Sequence, residues 1–160
     1  KLLIGNNKDC DSLISEVFSE KLKFSRVEIE GDTSDIRIDC EVENSLEVET
    51  DTGEVFIASK NAASLNIETD TGDVLIRDSY AGGIKIVTDT GDVMLRNVVA
   101  SGKISMETDT GDVMIIDSDA AEIKIVTDTG DVVATLLSQK IFGPLAQFKS
   151  GYLTHRLMYQ

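Results

Sequence analysis

Asp70-Thr71-Gly72-Asp73, Asp89-Thr90-Gly91-Asp92, Asp109-Thr110-Gly111-Asp112 and Asp128-Thr129-Gly130-Asp131 are one phrase repeated down the chain. It occurs twice more upstream, as Asp51-Thr52-Gly53-Glu54 and, in weaker form, as Asp32-Thr33-Ser34-Asp35. The third positions fall at 34, 53, 72, 91, 111 and 130, a period of 19 residues with one step of 20. A fixed period of this kind marks a repeat architecture, in which each unit buries its apolar face against its neighbours.

Between the phrases, apolar residues alternate with period two, the pattern of half-buried strands. Val74-x-Ile76 is followed by Ile84-x-Ile86, Val93-x-Leu95 by Ile104-x-Met106, and Val113-x-Ile115 by Ile123-x-Ile125. Two short strands per repeat are therefore expected. The link between them carries small residues, Ala62-Ala63, Ala81-Gly82, Ala100-Ser101 and Ala120-Ala121, suited to a tight chain reversal. Gly102 marks the inserted residue, expected as a bulge.

An antiparallel meander and a parallel β-solenoid both fit this pattern. Successive coils of a solenoid stack about 4.8 Å apart, so equivalent residues form ladders and the repeat length is constrained. The repeated Asp, Thr and Gly columns favour the solenoid. Nineteen residues at about 3.3 Å each give a perimeter near 60 Å, enough for a flattened or three-sided coil. About six coils are expected over residues 25–142. Residues 1–24 form an N-terminal capping segment, with Leu13, Ile14, Val17, Phe18 and Leu22 at helical spacing. Residues 143–160, beginning Gly143-Pro144, abandon the repeat.

Composition narrows function. The net charge of −14 opposes binding to phosphate backbones or anionic lipid surfaces. All acidic residues lie at or before Asp131, whereas the stretch after it carries Lys140, Lys149 and Arg156. No apolar run reaches membrane-span length. The chain starts at Lys1, so the lack of a leader-like stretch leaves its location open. Cys10 and Cys40 have no CxxC spacing and are either free or a bridge from the N-terminal segment to the first repeat.

The stretch Asp119-Ala120-Ala121-Glu122-Ile123-Lys124-Ile125-Val126-Thr127-Asp128-Thr129-Gly130-Asp131-Val132, followed by Leu136-Leu137-Ser138-Gln139-Lys140-Ile141-Phe142, resembles a bacterial adhesin-like family. That family is a domain of unknown function built of Thr-Asp-Thr-Gly-Asp repeats. The resemblance covers about residues 25 to 142 and implies a right-handed single-stranded parallel β-helix, an all-β fold, associated with the cell envelope or the extracellular side. It brings no catalytic residues. Family members usually continue with further Thr-Gly rungs, whereas this chain runs Gly143-Pro144-Leu145-Ala146-Gln147-Phe148.

The repeated turn is the first candidate site. Gly53, Gly72, Gly91, Gly111 and Gly130 are expected to supply a positive φ, with Asp and Thr oxygens accepting turn amides. On a straight strand, Thr69 and Thr71 would both face inward and Asp70 outward. The outward column Asp51, Asp70, Asp89, Asp109 and Asp128 offers oxygen ligands for calcium, the one cofactor the sequence suggests. A second column, Phe56, Leu75, Met94, Met114 and Val133, lies between inward positions and therefore points outward. Such an apolar stripe is a candidate interface with a protein or glycan at the cell surface. Pairing of two chains through a solenoid edge is also expected where a terminal strand lacks cover.

An enzyme is not expected. The sole histidine is His155 in the tail, and there is no nucleophile elbow or phosphate loop. Arg77 and Arg96 share a column and resemble the basic partners of carboxylates in β-helical polysaccharide-active enzymes, but a uniform repeat leaves no long loops to build a cleft. The expected function is a non-enzymatic structural or binding module of the envelope, with a calcium-stabilised glycan-binding solenoid as the alternative.

Overall fold

Alternation of side chains along an extended chain places every second residue on one side, and burial follows it closely. Val74, Ile76, Ile84, Ile86 and Thr88 are buried while Leu75, Lys85 and Val87 between them reach solvent. The computed structural model describes residues 2–4, 23–60, 62–137 and 152–154. These form strands β1 (Leu2–Ile4), β2 (Lys23–Gly31), β3 (Ile36–Thr52), β4 (Val55–Lys60), β5 (Ala62–Thr71), β6 (Val74–Thr90), β7 (Val93–Thr110), β8 (Val113–Thr129), β9 (Asp131–Leu136) and β10 (Tyr152–Thr154).

Neighbours run in the order β1-β2-β3-β4-β6-β7-β8-β9-β10, with β5 pairing β3 and β6. Every pairing is parallel, so the meander is excluded and the chain is a right-handed β-solenoid of about six turns. One coil lies on the next in the register that the period demands. Val55, Val74, Val93, Val113 and Val132 form one ladder, and Leu46, Leu65, Ile84, Ile104 and Ile123 another.

These ladders fill the interior. Each fully buried Ile or Leu contributes about 1.5–3 kcal/mol relative to exposure. The ion pairs between coils, Lys103 Nζ to Glu122 Oε1 at 2.6 Å and Arg26 Nη2 to Glu47 Oε2 at 2.7 Å, are exposed, and such pairs contribute about 0–1 kcal/mol. The apolar columns therefore dominate.

Three features depart from the sequence reading. The small-residue links are not reversals, because Ala81, Ala100 and Ala120 are buried inside single continuing strands and Ala62 is buried at the start of β5. A parallel coil needs only a bend there, and small side chains let neighbouring backbones approach. The second difference is at the repeated phrase. Thr50, Thr69, Thr88, Thr108 and Thr127 are buried, but Thr52, Thr71, Thr90, Thr110 and Thr129 are exposed. The backbone turns after the first Thr, so straight-strand parity fails by the second. Third, β1 pairs with β2 through Leu2↔Val27 and Ile4↔Ile29, a strand that the sequence pattern did not announce.

The extra residue near Gly102 produces a register shift, between Ala81 and Ile84 on one side and Ala100 and Lys103 on the other. The expected N-terminal helix rests on Leu13 to Leu22, outside the described residues. Of the tail, Tyr152–Thr154 is described, and it pairs in parallel with β9 through Leu153↔Val132.

Candidate functional site

At the Thr-Asp-Thr-Gly corner the coils meet by backbone alone. Gly72 and Gly91 have φ of 157° and 155°, and a Cβ on Gly91 would lie 2.2 Å from the carbonyl oxygen of Gly72. Real Cβ atoms do not approach an oxygen so closely, so both conformation and contact demand glycine. The peptide N–H of Gly72 donates to Thr90 O at 2.9 Å, and that of Gly91 to Thr110 O at 2.9 Å.

The two acidic positions of the phrase do different things. Asp35, Asp73, Asp92 and Asp112 each accept, through Oδ1, the backbone N–H of the equivalent residue one coil on, at 2.8–2.9 Å. These carboxylates cap the turn. Asp51, Asp70, Asp89, Asp109 and Asp128 are exposed. Among the described residues, no group of three or more His, Cys, Asp or Glu is placed to hold a metal ion.

Inside the same corner, the Thr hydroxyls form an inward column. Thr127 Oγ1 donates to Gly111 O at 3.2 Å and Thr108 Oγ1 to Gly91 O at a long 3.4 Å, whereas Thr69 and Thr88 Oγ1 find no partner among the described residues. A buried hydroxyl without a partner costs about 1–3 kcal/mol.

A second corner was missed in the sequence. Asp78, Asn97 and Asp117 have φ of 49°, 53° and 49°, the only non-glycine positive values among the described residues. Asp and Asn tolerate this left-handed region better than other side chains. The Asn97 Nδ2–H donates to Asp78 Oδ1 at 2.8 Å. Beside it, the buried hydroxyls of Ser79 and Ser118 donate to the carbonyls of Arg77 and Ile116 and accept the N–H of Ser59 and Val98. The signal was present as an Asp/Asn column at the 19–20-residue period.

Between the two corners lies the apolar stripe. Phe56, Leu75, Met94, Met114 and Val133 stand in register on successive coils, each half-buried. Arg37 and Arg77 flank the Phe56 ring, with guanidinium carbons 4.2 and 4.9 Å from its centroid. Each contact of this kind contributes about 0.5–1 kcal/mol at an exposed site. Arg77 and Arg96 stack in register and are exposed. They border the stripe. Their column carries Ile116 on the next coil.

The neighbouring broad face is polar. Its outward column runs Glu28, Glu47, Asn66, Lys85, Ser105 and Lys124, so acid at the N-terminal coils gives way to base at the C-terminal ones. A shallow depression of about 240 Å³ lies over Glu28, Glu30, Glu47, Glu49, Glu68 and Lys85.

Cys40 is a free, buried thiol, its pKa pushed up to about 11 by burial and then by the Asp39 carboxylate. It is packed as a small apolar group, not as a nucleophile. Cys10 and His155 lie outside the described residues. Among the described residues no helix is long and apolar enough to cross a membrane.

A family model described as Toastrack DUF4097 matches residues 6–142, covering the solenoid and stopping before the divergent tail. No curated protein and no solved structure matches the chain.

Proposed function

The chain belongs to the Toastrack DUF4097 family, and from that premise we propose that it is a non-enzymatic, adhesin-like scaffold of the bacterial cell envelope that binds a protein partner. The carrying observation is the stripe Phe56, Leu75, Met94, Met114 and Val133, five apolar side chains in register on one outward face. Stacked coils hold these side chains at a repeat of about 4.8 Å, so the face is preorganised and little ordering entropy is lost on docking. Arg37, Arg77 and Arg96 beside it supply a cationic border on an otherwise acidic chain. An interface with an apolar centre, a polar rim and arginine follows the usual composition of protein recognition surfaces.

The calcium-stabilised, glycan-binding alternative gains no support from the described residues, where the capping carboxylates are engaged with turn amides and the outer Asp column forms no metal-binding cluster.

Met94→Glu is the test, read by thermal unfolding and by retention of the protein on a purified envelope fraction. The expected variant melts like the parent and is retained poorly. A lowered melting temperature would mean that the chain covers its own stripe, and unchanged retention would place the binding elsewhere. Retention that survives protease treatment of the envelope would favour glycan.

A further inference from the structure

The apolar stripe runs between two edges of opposite charge. Two residues before each stripe position stands an acid, Glu54, Asp73, Asp92, Asp112 and Asp131, and all of them are exposed. Two residues after it, on the middle coils, stand Arg77 and Arg96, also exposed and in register. Positions two apart on a strand point the same way and lie about 6.6 Å from each other. The face is therefore three columns wide, in the order acid, apolar, base. Among the described residues Arg96 makes no ion pair, and Arg77 makes only a loose one, 3.9 Å from Asp78.

A surface in this order complements itself under one rotation and not under another. A two-fold axis along the stripe, parallel to the solenoid axis, lays stripe on stripe level by level and exchanges the edges. Asp73 and Asp92 of each copy then stand opposite Arg77 and Arg96 of the other. A two-fold axis along the strands reverses the order of the coils but keeps each column on itself. It sets Asp92 on Asp92, Asp73 on Asp112 and Arg96 on Arg96, and like charges so placed oppose association.

We infer that the occupant of the stripe is a second copy of this chain, in a dimer whose two-fold axis follows the stripe, a pairing that rests on the reading of the stripe as a protein-binding face. Leu75, Met94 and Met114 form the apolar centre, and Asp and Arg pair along both rims. The same patch serves on both copies, as a closed two-fold contact requires. Arg77 leans one coil back, its guanidinium carbon 4.9 Å from the centroid of the Phe56 ring. It meets an acid there too, because the facing edge carries one on every level.

The pattern stops at the first coil, where Arg37 takes the stripe position with Asp35 and Asp39 on either side. The apolar contact thus begins at Phe56. Five levels at about 4.8 Å by three columns at about 6.6 Å give roughly 480 Å² per copy. The total of about 1,000 Å² lies at the low end for specific interfaces, so the dimer is one that forms and separates readily.

The test is an exchange of charge between copies, read by sedimentation of the full chain over a concentration series. The average mass of the parent should rise toward that of a dimer. Asp92→Lys and Arg96→Glu each put two like-charge pairs into the contact, and each should weaken it roughly tenfold or more. Mixed in equal amounts, the two variants face each other with opposite charges on both rims, and association should return to within about threefold of the parent. A damaged fold does not produce that rescue. Asp92→Lys also gives up the cap on the Asp112 amide, so Arg96→Glu against Arg96→Lys supplies a second measurement that touches no cap: the first should dissociate the dimer and the second should not.

A parent that stays monomeric at every concentration overturns the inference, and so does a mixture that associates no better than its components. A monomeric parent whose retention on the envelope still falls with Met94→Glu keeps the stripe as a binding face for a different protein. A chain that passes the exchange test while Met94→Glu leaves retention unchanged pairs through its stripe and is held on the envelope by another surface.

Discussion

The two sharp corners of each coil solve the same problem by different means. At the Thr-Asp-Thr-Gly corner the backbones stack so closely that a Cβ is excluded, and the glycine is kept in every coil from Gly53 to Gly130. At the second corner, Asp78, Asn97 and Asp117 hold a left-handed backbone that still has room for a side chain. The earlier coils do without it. At the equivalent positions, Cys40 and Ser59 are buried, and neither has a positive φ. Identity from repeat to repeat is thus tightest where one backbone touches the next, and it relaxes where side chains separate them.

Gly91→Val should break this contrast most severely. It forces a β-branched residue to a φ of 155° and drives Cβ into the Gly72 carbonyl, with an expected loss of about 3 kcal/mol or more in denaturant unfolding. A loss below about 1 kcal/mol would show that the corner can relax and that close stacking is not what preserves the glycine.

Raising the pH should probe the early form of the second corner. The Cys40 pKa lies above its ordinary value of 9.0, at about 11, so the unfolded chain releases the thiol proton first. Stability from this group is complete below pH 9 and falls as pH rises toward 11, by roughly 2 kcal/mol. Cys40→Ala should flatten that part of the stability profile, and identical slopes in variant and parent would contradict the assignment.

Asn97→Val places a β-branched side chain in the left-handed region and removes the bond to Asp78, and a loss of about 1–2 kcal/mol is expected. Asn97→Gly should stay within about 0.5 kcal/mol of the parent, since relief of the backbone offsets the lost hydrogen bond. Equal losses for Val and Gly would mean that the hydrogen bond, not φ, decides this corner.

Thr88→Val tests the inner lining of the glycine corner. Its hydroxyl is buried without a partner among the described residues, so the apolar replacement should stabilise the fold by about 1 kcal/mol. Thr127→Val, which loses the 3.2 Å bond to Gly111 O, should not. Calorimetric melting of the two variants separates them, and equal shifts would remove the distinction between the two hydroxyls.

The smallest effect belongs to Asp92→Asn. It keeps an oxygen to accept the Asp112 amide and removes one charge from a repelling column. Stability should change by less than about 0.5 kcal/mol, with a weaker dependence of the melting temperature on salt. A loss above about 1 kcal/mol would show that the carboxylate charge itself holds the turn.

Much of this was legible in the linear chain. The period set the coil, and alternation assigned Val74, Ile76, Ile84 and Ile86 to the interior. The same alternation misassigned Thr71, because parity counts residues and cannot see a bend. The Asp/Asn column at 78, 97 and 117 was visible but unassigned, since those residue types serve turns, caps and solvent equally. Neither β1 nor β10 was foreseeable from so few residues, which become strands only where an edge receives them.

From the sequence alone came the repeat length, the parallel stacking it favours and the inward columns of Val, Ile and Leu, because identical neighbours at a fixed period align into ladders when coils stack. Tertiary structure alone decided which Thr turned inward, which Asp capped an amide, and which strands received β1 and β10. Those outcomes depend on the separation and direction of backbones from different coils, and no local pattern of residues encodes that distance.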